Sequence, residues 1–284
     1  MLTSTDSPVP FRGGSLGFVP TMGALHAGHA SLIEAAATEC DEVAVSIFVN
    51  PAQFGEGEDF ERYPRSLEKD YELAHAAGAQ YIWTPTVEKI YPNYPEISLS
   101  GDKTGDKTAS GPLAHRWEGE HRPGHFTGVV AVVKRLFDLI QPDKAYFGEK
   151  DFQQLRIIED MTQRLSLPVE IVRCLTVRDK NGLALSSRNR YLSAEELSIA
   201  QSIPRALNVA CVAASGGEKD PTSLLSAAKT ELDSRIQLDY LSIVDEADLT
   251  ILESLDCKDR TSVKPRIIFA GRINATRLID NMPL

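Results

Sequence analysis

Over the first 175 positions, compact apolar runs take turns with stretches of helical spacing. "SLGFVP", residues 15–20, predicts a short buried strand. In "HASLIEAAATE", Leu32, Ile33 and the small Ala35 to Ala37 recur at helical intervals. "EVAVSIFVN", Glu42 to Asn50, is β-branched and apolar throughout, as a strand covered on both faces would be. Strand, loop, helix and strand in succession make a βαβ unit. The alternation then repeats. A helix over "SLEKDYELAHAAG" is closed by Gly78 and followed by a strand in "AQYIWTP"; a long helix over "FTGVVAVVKRLFDLIQP" is stopped by Pro142. "KAYFG" is a strand, "DFQQLRIIEDMTQRLS" a helix and "PVEIVRCLTV" a further strand. Repeated βα units predict an α/β, Rossmann-like parallel sheet with helices on both faces.

The pattern changes near Val177. Ser193 and Glu196 form a capping-box signature that opens one helix running to about Ala214. "SGGEKDPTS" reads as a loop, and a further helix precedes strands in "LDYLSIVDE" and "RIIFAGRI". We therefore expect a nucleotide-binding domain over 1–176 and a smaller α+β domain over 177–284, packed together without a flexible linker.

Composition narrows the class. The 284 residues are 42% hydrophobic, enough for one large core or two smaller ones. Apolar runs such as "GVVAVV" are short for a bilayer span, and the first residues lack a basic-then-apolar leader, so a soluble, cytoplasmic protein is expected. Cys40, Cys174, Cys211 and Cys257 form no Cys-x-x-Cys pair, which argues against a zinc or redox motif. A net charge of −10 disfavours nucleic acid as a partner and requires any polyanionic ligand to sit in a locally basic pocket. The repeat "GDKTGDKT" imitates a phosphate loop, but Gly101 and Gly105 are too closely spaced for that motif, so it reads as a solvated loop.

Candidate chemistry begins where the first strand gives way to a helix. There "TMGALHAGH" carries His26 and His29 on one helical face, with Gly23, Ala24, Ala27 and Gly28 allowing close backbone approach. A helix N-terminus beyond a strand's carboxyl end favours an anion such as phosphate. Two imidazoles add donors that can meet phosphates and assist a departing pyrophosphate. In "FVNPAQFG", Asn50 and Gln53 are bifunctional amides suited to a substrate with hydroxyl and carboxylate groups, or to turn chemistry around Pro51. In "YFGEKDFQQ", Lys150 supplies compact positive charge, while Asp151 suits either a ribose hydroxyl or a helix cap. Ser186, Ser187 and Arg188 match pyrophosphate oxygens. Arg122 in "HRPGHFTG" can meet substrate or phosphate; His121 and His125 are poor candidates for metal ligands.

"VPTMGALHAGH", "SIFVNPAQF", "RPGHFTGV", "YFGEKDFQQL", "NGLALSSRNRYL", "LDYLSIVD" and "RLIDN", in that order, resemble the pantothenate synthetase (pantoate–β-alanine ligase) family of the nucleotidyltransferase superfamily. The resemblance implies an ATP-dependent joining of pantoate to β-alanine through a pantoyl adenylate, releasing pyrophosphate and AMP. It further implies ATP contacts at Met22, Gly23, Ala24, Leu25, His26, Ala27, Gly28 and His29, with His29 as proton donor. Gly148, Glu149, Lys150, Asp151, Val177, Leu185, Ser186, Ser187 and Arg188 complete the implied ATP set. Gln53 and Gln154 are implied to bind pantoate, and Gln53 also β-alanine. Mg²⁺ arriving with ATP, a homodimer, and a second domain that closes over the adenylate are implied as well. Asp70 is a conceivable carboxylate for the ion. Leu185 stands where the family often has Met, and the usual opening helix is missing or replaced. Another nucleotidyltransferase would explain the histidine pair but not "FVNPAQF" together with "SSRNR". A non-catalytic ATP binder would require a matched group to be lost.

Overall fold

The computed structural model describes residues 2–4, 13–92, 110–256 and 263–284. The "GDKTGDKT" stretch and Cys257 lie outside the described residues. The chain divides into two compact units, one of residues 1–149 and 153–175, the other of residues 150–152 and 176–284.

The first unit is built on a six-stranded sheet: β1 (Leu2–Ser4), β2 (Leu16–Thr21), β3 (Glu42–Ile47), β4 (Tyr81–Trp83), β5 (Lys144–Gly148) and β6 (Glu170–Cys174). Its spatial order is β1-β4-β3-β2-β5-β6, and each pairing is parallel. Helices α1 (Ala27–Glu39), α2 (Leu67–Ala76), α5 (His125–Ile140) and α6 (Phe152–Arg164) supply most of the connections, with the single turns α3 (Val87–Ile90) and α4 (Glu118–His121). Alternate side chains of a strand face opposite ways. Val19 accordingly packs with Leu32, Ile33 and Ala36 of α1, and its neighbour Phe18 meets Phe137 of α5 edge-on at 6.4 Å. The sheet is thus covered on both faces, which is why its strands read as unbroken apolar runs.

Strand order decides where the loops gather. From β2 the chain moves outward through β3 and β4 on one side, and returns to β5 and β6 on the other. β2 is therefore at a topological switch point, the place where open α/β sheets bind ligands. The loops after β2, β3 and β5 all leave from adjacent carboxyl ends, and these carry the histidine pair, Asn50 to Gln53, and Gly148 with Glu149.

In the second unit α7 (Ala194–Ala200), α8 (Ser202–Ser215) and α9 (Pro221–Glu231) precede an antiparallel sheet, β7 (Gln237–Asp245), β8 (Pro265–Ile273) and β9 (Thr276–Pro283), in that order. Ile199, Ile203, Leu207 and Leu224 pack against Ile243, Ile267, Phe269 and Leu278. The cap Ser193–Glu196 forms as expected, with both reciprocal bonds in place. The single helix expected from there to Ala214 is interrupted at Gln201. Pro204 has no N–H for the carbonyl of Ala200, so the helix restarts rather than continues. The stretch Ala194–Ser215 is long and apolar enough to cross a membrane by composition, yet half of it is buried within the protein, as befits core helices. β1 and β9 were not expected from the sequence pattern; β8 and β9 join through Asn274, whose φ of 50° suits a tight hairpin.

Candidate active site

Two consecutive left-handed residues shape the loop after β2. Gly23 has φ 82° and Ala24 φ 51°. The second is unusual for a residue with a Cβ, and costs about 1 kcal/mol or more unless the surroundings enforce it. Asp70 of α2, buried to 1% exposure, does so. Its Oδ2 accepts from the amide of Ala24 at 2.9 Å, its Oδ1 from that of Leu25 at 2.8 Å and from Ser66 Oγ at 3.2 Å. Both carboxylate oxygens are thereby occupied with protein donors, so Asp70 holds the loop and is not placed as a magnesium ligand. No group of three or more His, Cys, Asp or Glu able to hold a metal ion occurs among the described residues.

His26 is the N-cap of α1 and His29 its third residue. The Gly28 amide donates to His26 Nδ1 at 3.1 Å, and the His26 amide donates to His29 Nδ1 at 3.3 Å. The rings lie 4.1 Å apart between centroids, tilted by 42°. An Nδ1 that accepts carries no proton, so in each neutral ring the proton is on Nε2. This differs from the simple picture of a helix N-terminus offering bare amides to phosphate. The amides of Ala24 and Leu25 serve Asp70, those of His26 and Gly28 serve the imidazoles, and those of His29 and Ala30 turn back to the His26 carbonyl. Most of the loop and first-turn amides are thus taken up within the protein.

After β3, the turn Pro51–Gln53 is capped by Asn50 and buried. Asn50 Nδ2 donates to Gln53 Oε1 at 3.0 Å and to the Gly128 carbonyl at 3.1 Å. Its Oδ1 accepts from Tyr91 Oη at 3.0 Å and the Ala52 amide at 3.2 Å. The Gln53 carboxamide is oriented by these bonds, so that Nε2 points at Met22 Sδ, 3.2 Å away. Gln53 and the histidine loop therefore belong to one site. Gly128 is required here: a Cβ on it would lie 2.1 Å from the Ala52 carbonyl oxygen.

The backbone of Gln53 is held from α5. His125 Nδ1 lies 2.8 Å from the Gln53 carbonyl oxygen, which can only accept, and His125 Nε2 lies 3.0 Å from Arg122 Nη1, which can only donate. His125 must therefore be neutral, protonated on Nδ1. Burial, then the Arg122 charge, lowers its pKa to about 4. Arg122 is bidentate to Glu58, with both bonds at 2.7 Å. Burial pushes the Glu58 carboxyl up, but the Arg122 bonds and charge outweigh it and leave it below its usual range. Within the protein, Arg122 is thus engaged by the Glu58 carboxylate and by His125.

The remaining candidates fall into both units. Gly148 ends β5, where a Cβ would meet nothing within 4 Å. Lys150 lies in the short turn Glu149–Asp151, its Nζ 3.5 Å from Asp151 Oδ1. Gln154 is half-buried on α6; its neighbour Gln153 clasps the preceding loop, bonding the carbonyls of Leu113 and Arg116 and the amide of Glu118. In the second unit Val177 and Leu185 are brought together, the Leu185 amide donating to the Val177 carbonyl at 2.9 Å. Ser186 caps the turn Ser187–Tyr191 by accepting from the Arg188 amide at 3.3 Å. Ser187 is buried and Arg188 half-buried.

The family model for pantoate-beta-alanine ligase matches residues 6–283. The chain belongs to the pantoate–β-alanine ligase family. Among its relatives, a pantothenate synthetase from Rubrobacter xylanophilus is 47% identical over 96% of this chain and 92% of the relative, and one from Aquifex aeolicus is 44% identical over 95% and 91%. The crystal structure of pantothenate synthetase from Thermus thermophilus superposes with a TM-score of 0.86 at 44% identity, covering 94% of this chain and 92% of that one. A pantoate–β-alanine ligase from Francisella tularensis, solved with β-γ ATP and β-alanine, superposes with a TM-score of 0.70 at 32% identity, over 95% and 90%. The sequence motifs single out His26, His29, Gln53 and Lys150 as candidates. They did not reveal the supports: Asp70 under the histidine loop, Asn50 and Tyr91 behind Gln53, and the Glu58–Arg122–His125 chain. Burial of ionisable side chains is the signal that finds these, and it needs the fold.

Proposed function

We propose that the protein condenses pantoate with β-alanine at the expense of ATP, by way of a pantoyl adenylate. The observation that supports this reading is the pairing at one switch point of two Nε2-protonated imidazoles with an amide side chain, Gln53, held in a single orientation. Met22 to His29, Gly148 to Asp151, Val177 and Leu185 to Arg188 are the proposed ATP contacts. Gln53 and Gln154 are the proposed pantoate contacts, and Gln53 also meets β-alanine. The ligand pair in the Francisella tularensis enzyme fits this assignment. A homodimer and a cytoplasmic location rest on the family resemblance.

In the first step a pantoate carboxylate oxygen attacks the α-phosphorus, and the bond to the bridging oxygen breaks with its electron pair leaving on pyrophosphate. His29 donates a hydrogen bond from Nε2–H to a pyrophosphate oxygen, and Lys150 offsets charge on the α-phosphate. In the second step the amine of β-alanine attacks the acyl carbon, loses a proton and expels AMP. Mg²⁺ is carried by the ATP phosphates, as part of the substrate. The deciding experiment measures pantoate-dependent exchange of pyrophosphate into ATP, then AMP release on addition of β-alanine, omitting each substrate in turn. Exchange without pantoate, or AMP formation without β-alanine, would overturn the reading.

A further inference from the structure

Asp280 and Asn281 lie side by side in β9, both buried, where a strand interior ordinarily takes apolar residues. Asp280 is bidentate to Arg178 at 2.7 and 2.9 Å. Arg178 also donates to the carbonyls of Gly182 at 3.0 Å and Asn281 at 3.1 Å, binding the segment from Val177 to Leu185 to β9. Asn281 faces a different segment. Its Nδ2 donates to the backbone carbonyl of Lys150 at 2.9 Å, and its Oδ1 accepts from Arg266 Nη1. Arg266 is fixed in turn by Glu246 at 2.7 Å and lies 3.9 Å over the ring of Phe152. One dipeptide therefore holds two stretches that are far apart in sequence, and each contains proposed ATP contacts.

We propose that Asn281 is a positioning residue for the ligase reaction: it fixes Lys150 by its main chain, while Asp280 fixes the Val177–Leu185 segment through Arg178. The inference rests on the role given to Lys150 above. A lysine reaches its target through four flexible bonds, so the direction in which the chain releases it limits where the ammonium can go. A buried carboxamide is suited to this because it bridges a carbonyl and a guanidinium at once. No apolar residue of that size does both.

The test uses Asn281→Ala and Asn281→Asp in the full chain, with pantoate-dependent pyrophosphate exchange as readout. Aspartate keeps the volume and the acceptor for Arg266 but offers no donor to the Lys150 carbonyl. Both variants are expected to lower kcat about tenfold, the size of loss that follows small misplacements. The KM for pantoate should stay within about twofold. In a Lys150→Ala background either substitution should remove less than about a further twofold, because a residue acting through Lys150 has nothing left to position. Losses that multiply in that background, or wild-type kcat in Asn281→Asp while Lys150→Ala is slow, overturn this inference alone. Wild-type kcat in Lys150→Ala overturns the lysine's role and the inference with it.

Discussion

The amide of His26 donates to Nδ1 of His29 at 3.3 Å, so the second imidazole of the pair caps the helix that begins with the first. The two jobs of His29, capping through Nδ1 and hydrogen-bond donation through Nε2, sit on different atoms and can be separated. Asparagine places an amide oxygen near the Nδ1 position; glutamine places a nitrogen near Nε2. His29→Asn should keep the thermal stability and lose about 10²- to 10³-fold in pyrophosphate exchange, the usual worth of one hydrogen-bond donor aimed at developing charge. His29→Gln should lose about 1 kcal/mol of stability with the cap and retain more exchange activity than His29→Asn. A larger activity loss in His29→Gln than in His29→Asn, measured beside their melting curves, would show that the cap rather than Nε2 matters.

Asp70 connects α2 to a strained turn, and that connection sets what its removal does. Asp70→Asn leaves one acceptor for two converging amides and turns an NH₂ toward the other. The expected cost is about 2 kcal/mol of stability, from an unpaired buried donor. The KM for ATP should rise about tenfold as Ala24 relaxes from its left-handed conformation and the histidines shift. The Mg²⁺ concentration giving half-maximal rate at saturating ATP should not move. A shift in that concentration with an unchanged melting temperature would mean that Asp70 serves the ion instead.

The contrast between β3 and β9 shows which parts of this fold a sequence makes legible. Val43, Val45 and Ile47 advertise a buried strand because local hydrophobicity and tertiary burial agree. Asp280 and Asn281 conceal one, since their burial depends on Arg178 and Arg266, partners that no local pattern announces. "RLIDN" was visible only as a motif. The candidate functional residues divide in the same way. His26, His29, Gln53 and Lys150 stand in short motifs at strand ends, where the βαβ alternation already directs attention. The role of Asp70 is hidden because a carboxylate in a helix does not disclose that two amides more than forty residues earlier turn toward it. Arg122 is illegible for a related reason: basic residues near a proposed phosphate site invite that pairing, and the Glu58 carboxylate that engages it lies far away in sequence.

The chain from Glu58 through Arg122 and His125 to the Gln53 carbonyl makes stability depend on pH in a definite direction. In the unfolded chain the His125 imidazole titrates near its ordinary value of 6.5, and in the folded protein near 4. Between these values the unfolded state holds a proton that the folded state refuses. Stability is therefore full above about pH 6.5 and declines as pH falls toward 4, by on the order of 3 kcal/mol. Glu58, whose folded pKa is also depressed, adds a loss of the same sign only at the acidic end of that window. Protonating His125 would set a second cation against Arg122 and remove the acceptor Arg122 uses, so nothing local compensates. His125→Gln should be less stable than wild type at pH 7, since glutamine cannot satisfy Arg122 and the Gln53 carbonyl with the same geometry. Its melting temperature should nevertheless fall less steeply between pH 6.5 and 4. Melting temperatures measured for both proteins across that range decide the matter: parallel curves would mean that His125 titrates normally and does not join Arg122 to Gln53.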